Sequence, residues 1–234
     1  MENTSAKVSP KVWLKRAASL VVLILIMDGL LFGAAGRLDW WGAWLLTGLY
    51  FAFLLFFLVW TSLKIPGLME ERSRMAKNVK GWDKVITSLY TVCLLGLLIV
   101  AGLDAGRFRW TAMPPALQWV GVVLLVFSGY VIWKVTTVNY YLSRYARIQE
   151  ERGQRVVTEG PYRVVRHPMY AMLIPFMLGI AFVLGSWWAL VPAALIGGLM
   201  MVRTAMEDRM LQEELPGYRE YAQKVRYRLF PGIW

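Results

Sequence analysis

Apolar residues in this chain come in long unbroken runs, unlike the alternation of a half-buried strand or the narrow stripe of a helix packed on a soluble core. Six runs, near 17–36, 40–61, 85–103, 117–138, 169–185 and 187–205, approach the roughly 20 residues a helix needs to cross the hydrocarbon of a bilayer. Only Gly185-Ser186 separates the last two, which carry Pro175 and Pro192, so they read as a tight, kinked helical hairpin. The pattern predicts an all-α polytopic membrane protein with about six transmembrane helices. It divides into four N-terminal spans over 1–138 and a second region, 139–234, made of a polar loop, the hairpin and a final helix.

Composition strengthens this reading. With 58% hydrophobic residues, 12 tryptophans and 18% charged residues in 234, a soluble fold would be left with large exposed apolar patches. The first run follows Lys11, Lys15 and Arg16 as a signal peptide would, yet Asp28 interrupts its core, and a retained segment gives an even number of crossings. Cys93, the single cysteine, lies inside the third run and has no partner for an intrachain disulfide.

Lys and Arg set the expected orientation, because cytoplasmic loops retain them. Four fall in the N-terminal segment and six each in 62–84, in 139–168 and from Arg203 onward, 22 on one side. Arg37, Arg107 and Arg109 face them, and Lys134, within the fourth run, can snorkel toward the basic side. Both termini are therefore expected in the cytoplasm, in a bacterial inner membrane. The net charge of +11 reads as this bias plus attraction to anionic lipid rather than as a nucleic-acid surface. Segment 62–84 is read as an interfacial helix or, equally well, as a solvated charged loop. Trp40-Trp41 and Arg107 to Trp110 read as an aromatic belt at the opposite surface, and Gly179, Gly185, Gly197 and Gly198 as places where helices approach closely.

Candidate chemistry gathers in the second region. Gly160-Pro161-Tyr162-Arg163-Val164-Val165-Arg166-His167-Pro168-Met169-Tyr170 holds the only histidine, between a basic loop and an apolar run. After the hairpin come Arg203, Glu207, Asp208 and Glu213-Glu214, then Gly217-Tyr218 and Tyr221. Arg203 and Glu207 are four apart and share a helix face, as an ordinary surface ion pair would. The hairpin, however, returns the chain to the side it left, which brings both toward His167 and Tyr170. Carboxylate, tyrosine faces and arginines together suit a polar, cationic cofactor. There is no G-x-G-x-x-G after a strand, no phosphate-binding loop, no metal-ligand spacing and no G-x-S-x-G elbow.

These two motifs resemble those of the isoprenylcysteine carboxyl methyltransferase and phospholipid methyltransferase superfamily of integral membrane enzymes, over about the last 95 residues. The superfamily pattern, H-x-L-V-T-x-G-x-Y-x-x-x-R-H-P-x-Y-x-G, then R-x-x-x-E-E-x-x-L, is met here by Gln154 to Tyr162, Arg166 to Tyr170, Arg203, Glu207-Asp208 and Leu211, and its G-x-x-Y-x-x-Y tail is approximated by Gly217-Tyr218 and Tyr221, where the glycine directly precedes the first tyrosine. Gln154 stands for a histidine, Asp208 for a second glutamate and Met172 for a glycine, the last expected to reshape the opening toward lipid.

The resemblance implies S-adenosylmethionine as methyl donor, entering from the cytosol. It assigns Gln154, Val157, Tyr162, His167, Pro168, Met169, Tyr170 and Glu207 to the cofactor. It implies Arg203, with Arg166 as a second candidate, as the arginine that orients a lipid-like or isoprenoid acceptor arriving from the bilayer. No metal and no nucleic acid are implied. Methyl transfer by in-line displacement depends on positioning. A carboxylate acceptor needs no base, which gives carboxyl O-methylation as the first reading. An amine acceptor, as in phospholipid N-methylation, needs Glu207, Asp208 or His167 to take a proton. His167 has a humbler possible use, donating to a backbone carbonyl to hold the turn before Pro168. A membrane reductase using NADPH is a rival with a similar hairpin. A transporter or scaffold has, outside the two motifs, Asp28 and Lys134 within its spans to build a path.

Overall fold

A computed structural model describes residues 9–67 and 79–234. The middle of the segment expected to be interfacial, 68–78 with Glu70, Glu71, Arg72, Arg74 and Lys77, lies outside the described residues.

Helix α1, Pro10–Ala35, starts with Pro10 in the first turn behind Ser9, whose hydroxyl accepts from Val12 N at 3.3 Å. It ends at Gly36 in the left-handed conformation, φ 66°. Helix α2 spans Trp41–Lys64, and α3 spans Gly81–Ala101 and continues as a π-helical segment, Gly102–Phe108. Helix α4 is Pro115–Val138, again opened by proline. The polar strap 139–167 contains two short 3₁₀ turns, Glu150–Arg152 and Gly160–Arg163. Then follow α5, Pro168–Leu184, α6, Leu190–Glu214, and α7, Tyr218–Lys224. Among the described residues all regular structure is helical.

Five helices, α1, α2, α3 with its π extension, α4 and α6, are long and apolar enough to cross a membrane. The expected fifth crossing, α5, has 17 residues and rises only about 25 Å, short of the ~30 Å hydrocarbon core. Helix α6 has 25 residues; it is apolar at its start and carries the polar cluster on its last turns. It buries 39% of its apolar window, against 17–28% for the other four, and so occupies the centre. Leu14, Leu25, Val123, Phe127 and Leu195 point outward and exposed, which in water would be untenable and in lipid is the expected solvation. The chain is an integral membrane protein.

Small residues set the closest crossings. A Cβ at Gly121 of α4 would stand 2.8 Å from the carbonyl oxygen of Gly179 on α5, so these helices touch backbone to backbone. Gly102 and Gly106 similarly admit α1, with Ala34 and Ala35 at 2.7 and 2.5 Å from the missing Cβ atoms. Of the expected glycines, Gly179 serves this role, whereas Gly198 meets nothing within 4 Å and faces open space. At the hairpin tip, the Asp104 carboxylate accepts from the Ser186 hydroxyl and the Thr111 hydroxyl at 2.7 Å each and from Thr111 N at 2.9 Å. The hairpin turn is thereby tied to the end of α3, and the far end of α6 is held where the site lies.

Candidate functional site

At the opposite face of the bundle the strap 139–167 folds over the end of α4, the start of α5 and the end of α6. A cleft opens there, and among its walls are Gln154, Val157 and Tyr162 from the strap. His167, Met169 and Tyr170 come from the start of α5, and Glu207 from α6. Seven of the eight expected cofactor residues thus share one cleft. Pro168 starts α5 but does not line it.

Proline at 168 forces the extended-to-helix switch that aims two rings into the cleft. The His167 and Tyr170 rings stack, 5.8 Å between centroids and 6° between planes. Tyr170 donates its hydroxyl to Glu207 Oε2 at 2.6 Å. Tyr162 accepts from Asn139 Nδ2 at 2.6 Å, and Tyr221 donates to the Tyr162 carbonyl at 2.8 Å. Burial raises the phenol pKa values of Tyr162, Tyr218 and Tyr221. All three therefore stay neutral hydrogen-bonding groups.

Behind this wall stand two buried ion pairs. Asp208, with a fully buried side chain, takes Arg166 Nε at 2.7 Å on Oδ1 and Arg166 Nη2 at 2.9 Å on Oδ2. Tyr218 and His167 Nε2 also reach Oδ1, at 3.0 and 3.2 Å, while Gln212 and Arg228 reach Oδ2, at 2.9 and 3.0 Å. Six contacts leave this carboxylate no vacant lone pair. For Arg166, burial works against the charge, but the bonds and charge of Asp208 outweigh it and the pKa ends raised. Its Nη1 donates at 2.8 Å to the carbonyls of Val225 and Arg226. The tail also runs beside the strap, with Arg166 N on Tyr227 O at 3.0 Å and His167 N on Arg228 O at 2.9 Å.

Arg203 forms the second pair, and its partner is not Glu207. Its Nε and Nη2 donate to Asp83 of α3 at 2.8 and 3.2 Å, Nη2 also reaches the Arg144 carbonyl at 2.9 Å, and the guanidinium lies 5.0 Å over the Tyr170 ring. Asp83 Oδ2 further accepts from Ala146 N at 2.7 Å. Arg203 does not line the cleft; it props Tyr170 from behind. The ordinary surface pair imagined for Arg203 and Glu207 is thereby replaced by a buried one, because α3 brings a carboxylate that is distant in sequence. His167 likewise pairs through its ring with a carboxylate and a phenol rather than with a backbone carbonyl. Met172, expected to shape the opening, lines neither this cleft nor the apolar groove described below.

Several wall residues carried no assignment from sequence. Tyr141, Tyr145, Arg155 and Leu211 line the cleft, as do Tyr218 and Tyr221, seen beforehand only as part of a tail motif. Asp83 was missed altogether, since an isolated acid at a helix start is a common N-terminal feature. Among the described residues no group of three or more His, Cys, Asp or Glu side chains converges as a metal site.

An all-helical bundle with a polar, tyrosine-lined cleft at one face, floored by a glutamate and backed by two arginine–aspartate pairs, places the chain among polytopic membrane proteins that carry a polar site at one end of their spans. The family described as phospholipid methyltransferase matches residues 116–216. The cobalt-zinc-cadmium resistance protein CzcN of Cupriavidus metallidurans is 30% identical over 166 residues, covering 67% of this chain and 73% of that protein. The uncharacterized protein YpbQ of Bacillus subtilis is 26% identical over 102 residues, 42% of this chain and 60% of that protein. The chain belongs to the phospholipid methyltransferase family, within the isoprenylcysteine and phospholipid methyltransferase superfamily.

Proposed function

We propose that the cleft binds S-adenosylmethionine and that the protein transfers its methyl group to a carboxylate on a lipid-like or isoprenoid acceptor. The observation that carries the reading is Glu207, half-buried, one oxygen held by Tyr170, in the wall of a cleft of neutral phenols and a stacked imidazole. The donor set fits the cofactor. A carboxylate accepts from ribose hydroxyls or an amino group, aromatic faces stabilise a sulfonium, and Gln154 and Val157 supply an amide and an apolar wall. When bound, the cofactor supplies an electrophilic methyl on sulfur. At about 110 Å³ the cleft is smaller than common ligand pockets of ~300–1,000 Å³.

The scarcity of bases favours a carboxylate acceptor. Asp208 is saturated by donors, and His167 Nε2 is engaged by Asp208 and Tyr218. Among the side chains that line the cleft Glu207 is the one carboxylate, and it is given to the cofactor. An acceptor without a proton to lose matches this wall. Arg166 and Arg203 act as positioning groups: Arg166 fixes His167 and the tail through Asp208, and Arg203 fixes Tyr170 from behind the cleft wall. Among the described residues Lys and Arg gather at the cleft side, with Arg37, Arg107 and Arg109 opposite, and this bias supports a cleft that faces the cytosol.

Calorimetry of S-adenosylmethionine binding to the detergent-purified protein tests the reading, with Glu207→Gln and Tyr170→Phe beside the wild type. Binding is expected for the wild type and at least tenfold weaker in Glu207→Gln. A folded wild type that binds no S-adenosylmethionine overturns the proposal, and binding of NADPH in its place points to a reductase. Transfer of a labelled methyl to an amine but to no carboxylate acceptor retires the O-methylation part alone.

A further inference from the structure

A second hollow lies on the lipid side of the bundle, between α2, α4 and α5. It holds about 420 Å³ and is walled by Tyr50, Phe53 and Phe56 on α2, Gly129 and Trp133 on α4 and Phe176 on α5, among others. It shares no lining side chain with the cofactor cleft. Gly129 keeps it open: a Cβ there would already stand 3.2 Å from the Phe53 ring. At one end the wall becomes amphipathic. Trp133 packs edge-on against Trp60 and Phe56, with centroids at 5.8 and 6.1 Å, and its buried indole N–H has no hydrogen-bond partner among the described residues. The Lys134 ammonium sits 4.9 Å over the Trp133 ring and 5.7 Å over the Tyr130 ring, and no carboxylate pairs with it among the described residues.

Lys134 lies one turn before the end of α4, the end from which Asn139 and Tyr141 enter the cleft. The unpaired cation and the unsatisfied donor therefore stand at headgroup depth, while the aromatic hollow reaches toward the bilayer centre. Neither group is used by the cofactor site. We propose that this groove holds an anionic phospholipid, one acyl chain lying in the hollow of Phe53, Gly129 and Phe176 and its phosphate over Lys134. Tail and headgroup answer to different residues, and this separates the site from a merely greasy surface. One basic side chain at a lipid surface favours an anionic over a zwitterionic headgroup by about fivefold.

Native mass spectrometry of the full-length protein, exchanged into mixed micelles of phosphatidylglycerol and phosphatidylcholine, reads this preference directly. The wild type is expected to retain phosphatidylglycerol about fivefold over phosphatidylcholine. Lys134→Gln, at an exposed position, should retain both equally. Gly129→Leu should retain neither while S-adenosylmethionine binding persists. If Gly129→Leu does not fold, Lys134→Gln decides alone. Equal retention of the two lipids by the wild type, or a preference unchanged in Lys134→Gln, overturns the proposal. Displacement of the retained lipid by an uncharged isoprenoid chain assigns the groove to another occupant and also overturns it.

Discussion

Replacing Asp208 with asparagine keeps the shape of the side chain and removes the charge that six donors converge upon. The immediate cost falls on Arg166, whose side chain is 6% exposed and, among the described residues, loses its only carboxylate partner. Breaking one side of a buried pair costs about 3–5 kcal/mol, because the remaining charge is stranded. Here the lower end applies. Arg166 Nη1 keeps the Val225 and Arg226 carbonyls, and Arg228, with a third of its side chain exposed, can turn to water. A loss of about 3 kcal/mol is roughly a hundredfold in the folding equilibrium. The damage should be local in character, loosening the tail and His167 rather than the spans. Denaturant unfolding in a fixed detergent, followed by tryptophan emission and near-ultraviolet dichroism, reads the change. Glu214→Gln serves as control, since its pair with Lys80 is partly exposed on both sides and is worth no more than about 1 kcal/mol. If Asp208→Asn shifts the midpoint no further than the control does, Asp208 is not the hub described, and the assignment of Arg166 as a positioning group falls with it.

Asp83→Asn should release Arg203 and the strap around Ala146 together, weakening S-adenosylmethionine binding several-fold while leaving Glu207 in place; limited proteolysis within 140–157 would accelerate. Gly121→Val should be among the most damaging substitutions in the spans, since its side chain must enter the Gly179 backbone; a melting temperature in detergent within a few degrees of wild type would contradict the close crossing. Stability should fall as pH rises above about 10, the ordinary tyrosine value, because the raised phenols of Tyr162, Tyr218 and Tyr221 favour the protonated form in the fold. Their contribution is complete below that pH and lost above it, and Tyr162→Phe should show a shallower decline.

The membrane-spanning runs were legible because hydrophobic length is a one-dimensional signal, and their boundaries shifted by only a few residues, except at the two polar ends. Helix α1 begins at Pro10 rather than near 17, and α6 continues to Glu214 rather than stopping near 205, because helix propensity carries a helix past the point where the lipid ends. The cleft was legible where its residues cluster, from Gln154 to Tyr170 and at Glu207. It was not legible at Asp83, 120 positions from Arg203, since nothing in a lone acidic residue announces the partner that burial will force on it. The misjudged glycines show the same limit. Gly121 and Gly198 look alike in sequence, and only the direction of each helix decides which one faces a neighbour.

The region that matches the family begins at residue 116, yet the cleft does not stand on that region alone. Asp83 in the first turn of α3 binds Arg203 of α6 and Ala146 of the strap, so one carboxylate from the N-terminal half fixes both the prop behind Tyr170 and the loop over the cleft. Lys80, a few residues earlier, holds Glu214 at the end of α6 at 2.7 Å. At the other face, Asp104 on the same chain segment pins the hairpin through Ser186. Helix α3 therefore grips α6 at both ends, and Tyr170 and Glu207 keep their 2.6 Å contact only while that grip sets the rotation of α6. A fragment retaining 116–234 would keep every motif residue and lose the brace that orients them. It should bind the cofactor weakly even where its helices form, and supplying 1–114 as a separate chain should restore binding if the brace is what was lost.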